Sequence, residues 1–373
     1  MTTISFTGDI MLGRFVAEQY SLKPHQLVSE DVVNELGKSD FRIANLESPV
    51  SSVESEDSLK FAANPELLNQ FKWVDCFSLS NNHINDFGSQ GMAETIVALD
   101  NHGVGHNGLY TDDYKPYVIN HGNDNIAVIM CADMMNYEFG EDCPYKTLRV
   151  NKPEEIVNCI KEYKNKGFFV ILYAHVGMLF TRFPNPVIRD FVHQMVEEGA
   201  DCVITAHPHC LGGYEYYNEK LVVYSLGDFL MDGASFRRRK AGVLTIGIDV
   251  HKITDWSIIP VYTDDSLTVR LAEGKMKHKM QKGFQKVSEK IKLHYDKYKP
   301  FYKIQYKKEL LAHSMSTLSF EYHKRGFIGM LKTLFKRFGS VGAMVKRVFT
   351  DRSNMSYDAD AVSEKNYSIK DIR

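Results

Sequence analysis

This 373-residue sequence contains no CxxC motif. Six scattered cysteines are present, and none of them belongs to a CxxC pair: Cys76, Cys131, Cys143, Cys159, Cys202 and Cys210. In a long chain without a secretory leader, such thiols are typical of reduced residues rather than of a disulfide framework. The sequence therefore predicts reduced and mostly buried cysteines.

Long hydrophobic runs are also lacking. No stretch of about 18 apolar residues occurs, so we expect no membrane-spanning helix. The first residues, MTTISFTGDIMLGR, lack the basic and apolar regions of a signal peptide. These absences predict a cytoplasmic protein, and a peripheral position at the inner face of the membrane is compatible with them.

Acidic residues are scarce in the C-terminal part of the chain. Residues 275–352 contain 20 Lys and Arg against 5 Asp and Glu, a net charge of +15, whereas the remainder contains 25 against 42, a net charge of −17. A basic segment beside an acidic body indicates an anionic partner for that segment. Docking of the segment onto the acidic body is an equal alternative.

The first 265 residues alternate short apolar strands with helix-like runs, and several strands end in polar residues. The predicted strands of this kind are residues 4–7, 41–44, 76–80, 168–174 and 202–206, and the predicted helices are 65–71, 89–103, 152–167 and 185–199. This alternation favours a largely parallel sheet flanked by helices. Residues 114–132 resemble a hairpin, and residues 221–229, 242–250 and 256–263 suggest antiparallel additions to a mixed α/β sandwich.

The chain divides into three predicted regions: residues 1–265, a basic helical segment at 266–352 and a polar tail at 353–373. Within 326–349, apolar residues recur at helical spacing among lysines and arginines: Ile328, Leu331, Phe335, Phe338, Val341, Val345 and Val348. Such a helix fits an anionic membrane surface, a polyanionic polymer or a helical bundle on the main domain. No motif for specific nucleic-acid recognition accompanies the charge.

Metal-binding side chains follow five of the predicted strands: Asp9, Glu47, Asn82, His175, His207 and His209. Ligands bind at the carboxyl ends of strands in α/β sheets, so we expect these side chains to share one site. Carboxylate and amide oxygens together with imidazoles suit one or two ions of manganese, iron or zinc. This mixed set fits a hydrolytic metal centre better than a cysteine-rich structural zinc site.

His83 directly follows Asn82, and two roles are open for it. If Asn82 faces the metal, His83 is placed to protonate a leaving group. Alternatively, His83 only packs or bonds to Asp86. The catalytic residues that we predict are His83 and Asp9.

The motifs together resemble those of the poly-γ-glutamate capsule synthesis protein (CapA) family. They occur in order as Gly8-Asp9-Ile10-Met11-Leu12-Gly13-Arg14, Asn45-Leu46-Glu47, Asn81-Asn82-His83, Ala174-His175-Val176-Gly177, Ala206-His207-Pro208-His209 and Tyr224-Ser225-Leu226-Gly227-Asp228-Phe229. The resemblance covers residues 3–265 and implies a branch of the calcineurin-like metallophosphoesterases. It further implies a four-layer α/β/β/α fold with a two-metal site.

The resemblance also implies roles for single residues. Asp9 matches the opening metal aspartate, Glu47 or Asn45 the bridging carboxylate, Asn82 and His83 the ligand and general acid, and the three histidines at 175, 207 and 209 the remaining ligands. Five positions depart from the pattern: Met11 replaces a histidine, Val176 and Leu179 replace a tryptophan and a glutamate, Ala62 replaces an arginine, and Asp228 replaces an asparagine. The predicted substrate-binding residues are Asn45, Arg14, His106 and Asp228, with Arg42 as a further candidate for holding an anion.

Three functions follow as hypotheses. The leading one is a metal-dependent phosphomono- or phosphodiesterase that acts on an anionic glycan or another envelope polymer. The second keeps the metals but cleaves or transfers an amide of a polymer such as poly-γ-glutamate. The third is a non-catalytic accessory protein of a capsule assembly complex, which the missing histidine at Met11 favours.

Overall fold

The structure, a computed structural model, describes residues 1–51, 62–133, 136, 138–232 and 239–298, with scattered helical positions between 304 and 335. Its strands are β1 (Thr2–Ile10), β2 (Phe41–Leu46), β3 (Cys76–Ser78), β4 (Gly105–Asn107), β5 (Tyr117–His121), β6 (Asp124–Ala132), β7 (Leu148–Arg149), β8 (Phe169–His175), β9 (Cys202–Ala206), β10 (Tyr214–Tyr217), β11 (Lys220–Val223), β12 (Asp228–Leu230), β13 (Lys240–Asp249), β14 (Lys252–Thr263) and β15 (Val269–Leu271). Its α-helices are α1 (Arg14–Leu22), α2 (Glu30–Leu36), α3 (Gly88–Asn101), α4 (Pro153–Asn165), α5 (Pro186–Glu197) and α6 (Gly274–Tyr298), and a 3-10 helix spans Pro65–Phe71.

The strands form two sheets, each with a parallel centre extended by antiparallel strands. The first sheet has the order β15-β14-β13-β1-β2-β3-β4, and β12 also pairs with β1. The second has the order β10-β11-β9-β8-β6-β5, and β7 also pairs with β6. Strands β1 to β4 run parallel in the first sheet, and β6, β8, β9 and β11 run parallel in the second.

The two sheets pack face to face, and helices cover both outer faces. Phe6 and Ile43 of the first sheet pack between the sheets with Val128 and Ile171 of the second. Helices α1, α2 and α3 pack on the outer face of the first sheet, and α4, α5 and α6 pack on that of the second. The predicted mixed α/β fold with α/β/β/α layers is confirmed.

Local sequence explains several of the helix boundaries. Pro186 begins α5, and the Asn185 side chain accepts a hydrogen bond from the backbone N–H of Ile188 at 2.9 Å. Proline at the first position and asparagine before it are both favoured at a helix start. The predicted helices at 89–103, 152–167 and 185–199 correspond to α3, α4 and α5, whereas α1 and α2 were not predicted.

The prediction of a single strand at residues 221–229 was wrong, although its first part, β11, does pair antiparallel with β10. These residues form two strands in different sheets: β11 pairs parallel with β9, and β12 pairs parallel with β1. Ser225 and Gly227 have positive φ angles of 61° and 77°, and these conformations turn the chain between the sheets. The crossing brings the start of β12 to the end of β1.

The beginning of the basic segment packs on the sandwich. In α6, Phe284, Ile291 and Tyr295 are buried, and the Tyr295 ring stacks on Phe183 with centroids 5.1 Å apart. Most of the predicted amphipathic segment at 326–349 and the whole polar tail lie outside the described residues. The three-region division stays a prediction. None of the described helices is both long enough and apolar enough to cross a bilayer.

Candidate metal centre

The ends of strands from both sheets converge on one buried cluster of side chains. Asp9 lies on β1, Glu47 follows β2, and His175 ends β8. Loops after β3 and β9 supply the remaining predicted ligands, Asn82 and the pair His207 and His209. Asp9 and Glu47 are 0% exposed, so the cluster lies inside the protein rather than on its surface.

One half of the cluster centres on His175. Its Nε2 atom lies 2.8 Å from Asn82 Oδ1, 3.1 Å from His207 Nδ1 and 3.7 Å from Glu47 Oε1. Ligand atoms around one zinc or manganese ion, each about 2.1 Å from the metal, are separated by about 3–4 Å. Glu47, His175 and His207 thus offer one carboxylate and two imidazoles whose ligand atoms lie within 4.8 Å of one another, and the Asn82 oxygen lies beside them.

The other half contains Asp9 and His209. The Nδ1 atom of His209 lies 3.8 Å from Asp9 Oδ2, and its Nε2 atom lies 3.6 Å from Glu47 Oε1. Asp228 joins this half, with its Oδ1 atom 2.8 Å from His209 Nδ1. The potential ligand atoms form two trios, Glu47 with His175 and His207, and Asp9 with His209 and Asp228, each within 4.8 Å. Glu47 Oε1 lies within 3.7 Å of a histidine in each half, so Glu47 would be able to hold an ion in either half.

Asn45 has a different position from Glu47. Its Nδ2 atom donates to Asp9 Oδ1 at 2.8 Å, and its Oδ1 atom accepts from Asn81 Nδ2 at 3.2 Å. Asn81 also donates to the carbonyl of Leu46 at 2.8 Å. Asn45 therefore orients Asp9 through its amide nitrogen, and the Asn45 oxygen is already hydrogen-bonded to Asn81. Glu47 is the residue whose carboxylate oxygens have no hydrogen-bond partner among the described residues.

Burial and mutual charge change the protonation of the cluster. Burial, reinforced by Asp9 and Asp228, raises the pKa of Glu47 well above its usual value. Burial, together with the nearby His175 and His209, lowers the pKa of His207 well below its usual value. Neutral imidazoles are the form that binds metals, so the lowered pKa values of His175 and His207 favour metal binding.

The surroundings of the Glu47 carboxylate are the most direct indication that a cation fits this cluster. Both of its carboxylate oxygens are buried and have no hydrogen-bond partner among the described residues. An unpaired buried carboxylate is unfavourable unless a cation or a hydrogen-bond donor compensates it. The residues present thus fit one or two divalent ions, through oxygen and nitrogen donors of the types that manganese, iron and zinc accept.

His83 lies beside the cluster in a hydrogen-bonded setting of its own. Its Nδ1 atom lies 2.9 Å from Asp86 Oδ2, and the Asp86 side chain is fully buried. The amide nitrogen of Asn136 lies 3.1 Å from the His83 ring nitrogens, while its oxygen accepts from Asn82 Nδ2 at 3.0 Å. Asn136 was missed in the sequence because no motif marks it.

Unusual backbone conformations hold the closing histidines. His207 and His209 have φ angles of 94° and 53°, which side-chain-bearing residues adopt at an energetic cost. Gly177, with φ of 138°, lies so close to Pro208 that an added Cβ would come within 2.6 Å of its ring. The loop after β8 therefore packs against the His207–His209 loop and fixes its shape.

The predicted anion-binding residues lie in different places. Arg14 forms an ion pair with Asp232, and its positive charge acts to lower the pKa of Glu47 against the larger effect of burial. The backbone of Ala62 packs against the adjacent Gly13. Arg42 pairs with Asp75 at 2.8 Å near the start of β2, away from the strand ends.

His106 is not brought into the cluster. It lies on β4 at the edge of the first sheet, and its Nε2 atom is 3.2 Å from Asp100 Oδ1 of α3. The structure brings together Asp9, Asn45, Glu47, Asn82, His175, His207, His209 and Asp228. The roles of all these residues as ligands or substrate contacts stay predictions.

A protein-family model matches the part of the chain that contains this cluster. The family model described as "Bacterial capsule synthesis protein PGA_cap" matches residues 3–233, which is more than half of the chain and includes every residue of the cluster. The chain belongs to the PGA_cap family. The resemblance drawn from the motifs is thereby confirmed, and a capsule-associated function follows from it.

Two curated relatives of this PGA_cap protein have names from capsule synthesis. "PGA biosynthesis protein CapA" of Bacillus subtilis is 26% identical over 74% of this chain and 75% of its own length. "Capsule biosynthesis protein CapA" of Bacillus anthracis is 27% identical over 65% of this chain and 62% of its own length. The chain thus spans less than two thirds of the second relative.

A solved structure of a hypothetical protein from Thermus thermophilus is also similar. It is 12% identical and covers 69% of this chain and 98% of its own, with a TM-score of 0.43. At that score we draw nothing about function from the likeness.

Proposed function

We propose that this PGA_cap protein is a metal-dependent hydrolase that cleaves a phosphomonoester or phosphodiester in a capsule polysaccharide or another envelope polymer. The observation that carries the proposal is the position of Glu47. Its unpartnered carboxylate lies between two sets of metal-binding side chains, 3.7 Å from His175 and 3.6 Å from His209. A single structural ion would not need a bridging carboxylate between two sets of ligands.

Different residues of the chain would have different roles in such a reaction. Asp9, Glu47, Asn82 and the three histidines would hold the ions, and Asn45 keeps Asp9 in place. When bound, the ions would offset negative charge that develops at phosphorus and lower the pKa of a water. His83, held by Asp86, would protonate the leaving oxygen.

The presence of Arg14 favours the proposal that the substrate is an anion. The Arg14 side chain is about one-third exposed, and Asp232 orients it through an ion pair. A planar guanidinium offers paired donors that match a phosphate or a carboxylate. We propose that Arg14 takes the part of the arginine that is missing at Ala62.

A second candidate is supported by one comparison. The relative from Bacillus subtilis is named as a PGA biosynthesis protein, which favours an amide of poly-γ-glutamate as the bond that is cleaved or transferred. The same ions and Arg14 would serve either reaction. A panel of phosphomonoesters, phosphodiesters and γ-glutamyl amides, assayed with added Mn²⁺, separates the two candidates.

Alanine at both His207 and His209 tests the hydrolase proposal. We expect the double variant to lose bound metal and turnover while it keeps its fold, because it removes one imidazole from each half. His102→Ala is the matched control, since that ring bonds to the backbone of α3 at Ala98. Unchanged metal content and turnover in the double variant would contradict the proposal, and metal binding without turnover on any substrate would favour an accessory protein.

A further inference from the structure

Asp228 lies directly opposite Asp9 in the first sheet. Strands β1 and β12 are parallel, and their register pairs Asp9 with Asp228. Opposite residues on neighbouring strands, about 4.8 Å apart, direct their side chains to the same face. Both carboxylates therefore face the buried cluster, although residues 9 and 228 are far apart in sequence.

Two glycines fix this arrangement. The backbone N–H of Asp9 donates to the carbonyl of Gly227 at 3.0 Å. A Cβ on Gly8 would come within 1.8 Å of that carbonyl oxygen, so only glycine allows the approach. Gly227 itself has a φ of 77°, in the region that favours glycine. The backbone is thus built to bring Asp228 beside Asp9.

Among the described residues, only one oxygen of the Asp228 carboxylate has a hydrogen-bond partner. The residue is 1% exposed, its Oδ1 atom is 2.8 Å from His209 Nδ1, and its Oδ2 atom has no hydrogen-bond partner among the described residues. A buried carboxylate oxygen without a donor is costly, and a cation is the partner that resolves it. One oxygen of this carboxylate lies within 4.8 Å of ligand atoms of Asp9 and His209.

Met11 does not supply a ligand to that trio. Its side chain is fully buried in the apolar core between the first sheet and its helices. Its sulfur atom accepts a hydrogen bond from the backbone N–H of Gly13 at 3.1 Å. The position at which the resemblance implies a histidine therefore contributes to packing in this chain.

We propose that Asp228 is a direct ligand of the first ion and takes the place of the histidine missing at Met11. This inference rests on the proposed metal centre. It gives the first site Asp9, Asp228, His209 and the shared Glu47, which is three carboxylates with one imidazole. The second site has two imidazoles and an amide oxygen beside Glu47.

The two sites then differ in the ions they prefer. Carboxylate oxygens favour hard cations such as Mn²⁺, whereas imidazoles suit zinc and iron as well. The first site, rich in oxygen, should select Mn²⁺ over Zn²⁺ more strongly than the second. A carboxylate in place of an imidazole thus preserves a two-ion centre and changes its selectivity.

A titration of the full chain, made metal-free with a chelator, with Mn²⁺ alone tests the inference. We expect two ions to bind to the unchanged chain. Asp228→Asn should reduce the affinity for the first ion by at least about tenfold, because even the loss of a residue that only contacts a metal ligand usually costs that much. Asp124→Asn is the matched control. Asp124 is 1% exposed, accepts one hydrogen bond from Thr2 Oγ1 at 2.9 Å and has an unpartnered Oδ1 atom, but lies outside the cluster.

Asp228→Cys distinguishes a ligand from a residue that only orients His209. With Co²⁺ bound, a thiolate at 228 gives a near-ultraviolet charge-transfer band only if the sulfur coordinates the ion, and Asp124→Cys should show none. Two Mn²⁺ ions bound by Asp228→Asn at unchanged affinity overturn the inference, as does a Co²⁺-loaded Asp228→Cys without the band. If the unchanged chain binds no metal, the proposed function fails as well, so the two failures are distinguishable.

Discussion

Glu47 occupies a position that is unfavourable in the absence of a cation. It is fully buried near Asp9 and Asp228, and neither of its oxygens has a hydrogen-bond partner among the described residues. Proteins keep such electrostatic cost mainly where function requires it. The cost should therefore be measurable as a loss of stability in the metal-free chain.

Glu47→Gln should stabilise the metal-free chain at pH 7 by about 1–3 kcal/mol, because it removes a buried charge. The raised folded-state pKa of Glu47 means that the ionised side chain destabilises the fold above the unfolded value, and glutamine has no such charge. Urea unfolding in a chelator measures the difference. Adding Mn²⁺ should raise the free energy of unfolding of the unchanged chain but not of the variant.

The exposed turn residue Glu219 provides the control, and Glu219→Gln should leave both measurements unchanged. A metal-free Glu47→Gln variant that is less stable than the unchanged chain would contradict the assignment of Glu47 as an unpaired buried charge.

His83→Ala should reduce kcat by about 10²–10⁴-fold on an alkyl phosphate, whose leaving group must be protonated. The loss should be much smaller on p-nitrophenyl phosphate, since nitrophenolate leaves without a proton. Metal content should be unchanged. Asp86→Asn should show the same dependence on the leaving group with a smaller loss, because it disturbs only the position of the His83 ring. Equal losses on both substrates would rule out the role of general acid.

Residue types at strand ends allowed the main members of the cluster to be predicted. A carboxylate, an amide or a histidine after an apolar strand is visible in the sequence, as at Asp9, Asn82 and His175. The separate roles of Asn45 and Glu47 were not predictable, because both lie at the end of the same strand and only their hydrogen bonds distinguish them. Asn136 was not predictable, since only the tertiary fold brings it to His83.

At the scale of the elements, the parallel strands could be predicted because their apolar runs end in polar clusters. The division of residues 221–229 into β11 and β12 could not, because LVVYSLGDF reads as one continuous apolar strand. The turn depends on the conformations of Ser225 and Gly227 and on the approach of Gly8. Helices α1 and α2, with 9 and 7 residues, are too short to give a clear periodic pattern.

Glu215 on β10 joins α5 to the second sheet. Its carboxylate accepts hydrogen bonds from Arg189 Nη2 at 2.8 Å, from the His193 ring at 2.7 Å and from Tyr224 Oη at 2.7 Å. Burial raises the pKa of Glu215, but these partners lower it to about 2. Arg189 also lies over the ring of Tyr295, 4.1 Å from its centroid, so the same group supports the docking of α6.

Glu215→Gln should lower the free energy of unfolding at pH 7 by roughly 2–3 kcal/mol. Because the folded-state pKa is depressed, this stabilisation is present above about pH 4.5 and is lost as the pH falls toward 2. The unchanged chain and the variant should therefore converge in acid. Denaturant unfolding between pH 7 and pH 2 measures this, with Glu162→Gln in an exposed ion pair as the control. A constant difference across that range would contradict the linkage.

At the scale of the whole molecule, the chain combines an acidic body with a basic C-terminal segment. The described part of that segment carries exposed apolar side chains: Phe327 is 60% exposed, Ile328 68% and Phe335 61%. Charge and apolar surface together are the two signals that firm binding to an anionic membrane requires. We propose that this segment holds the protein at such a surface, with an anionic polymer as the alternative partner.

Flotation of the full chain with vesicles that contain anionic phospholipid tests the proposed membrane contact. We expect the unchanged chain to float at low salt and to float less with neutral vesicles. Replacement of Phe327, Ile328 and Phe335 by serine should reduce flotation, whereas serine at the exposed Leu22, Val97 and Val250 should not. If the unchanged chain stays in solution with anionic vesicles, the membrane proposal is wrong.

The metal stoichiometry of the full chain tests the central claim most directly. Elemental analysis after reloading with Mn²⁺ should give two ions per chain, because Glu47 lies between two sets of potential ligands. None should bind tightly to the variant with alanine at His207 and His209. A chain that binds no divalent ion in excess Mn²⁺, or that retains its ions after both histidines are replaced, would contradict the account.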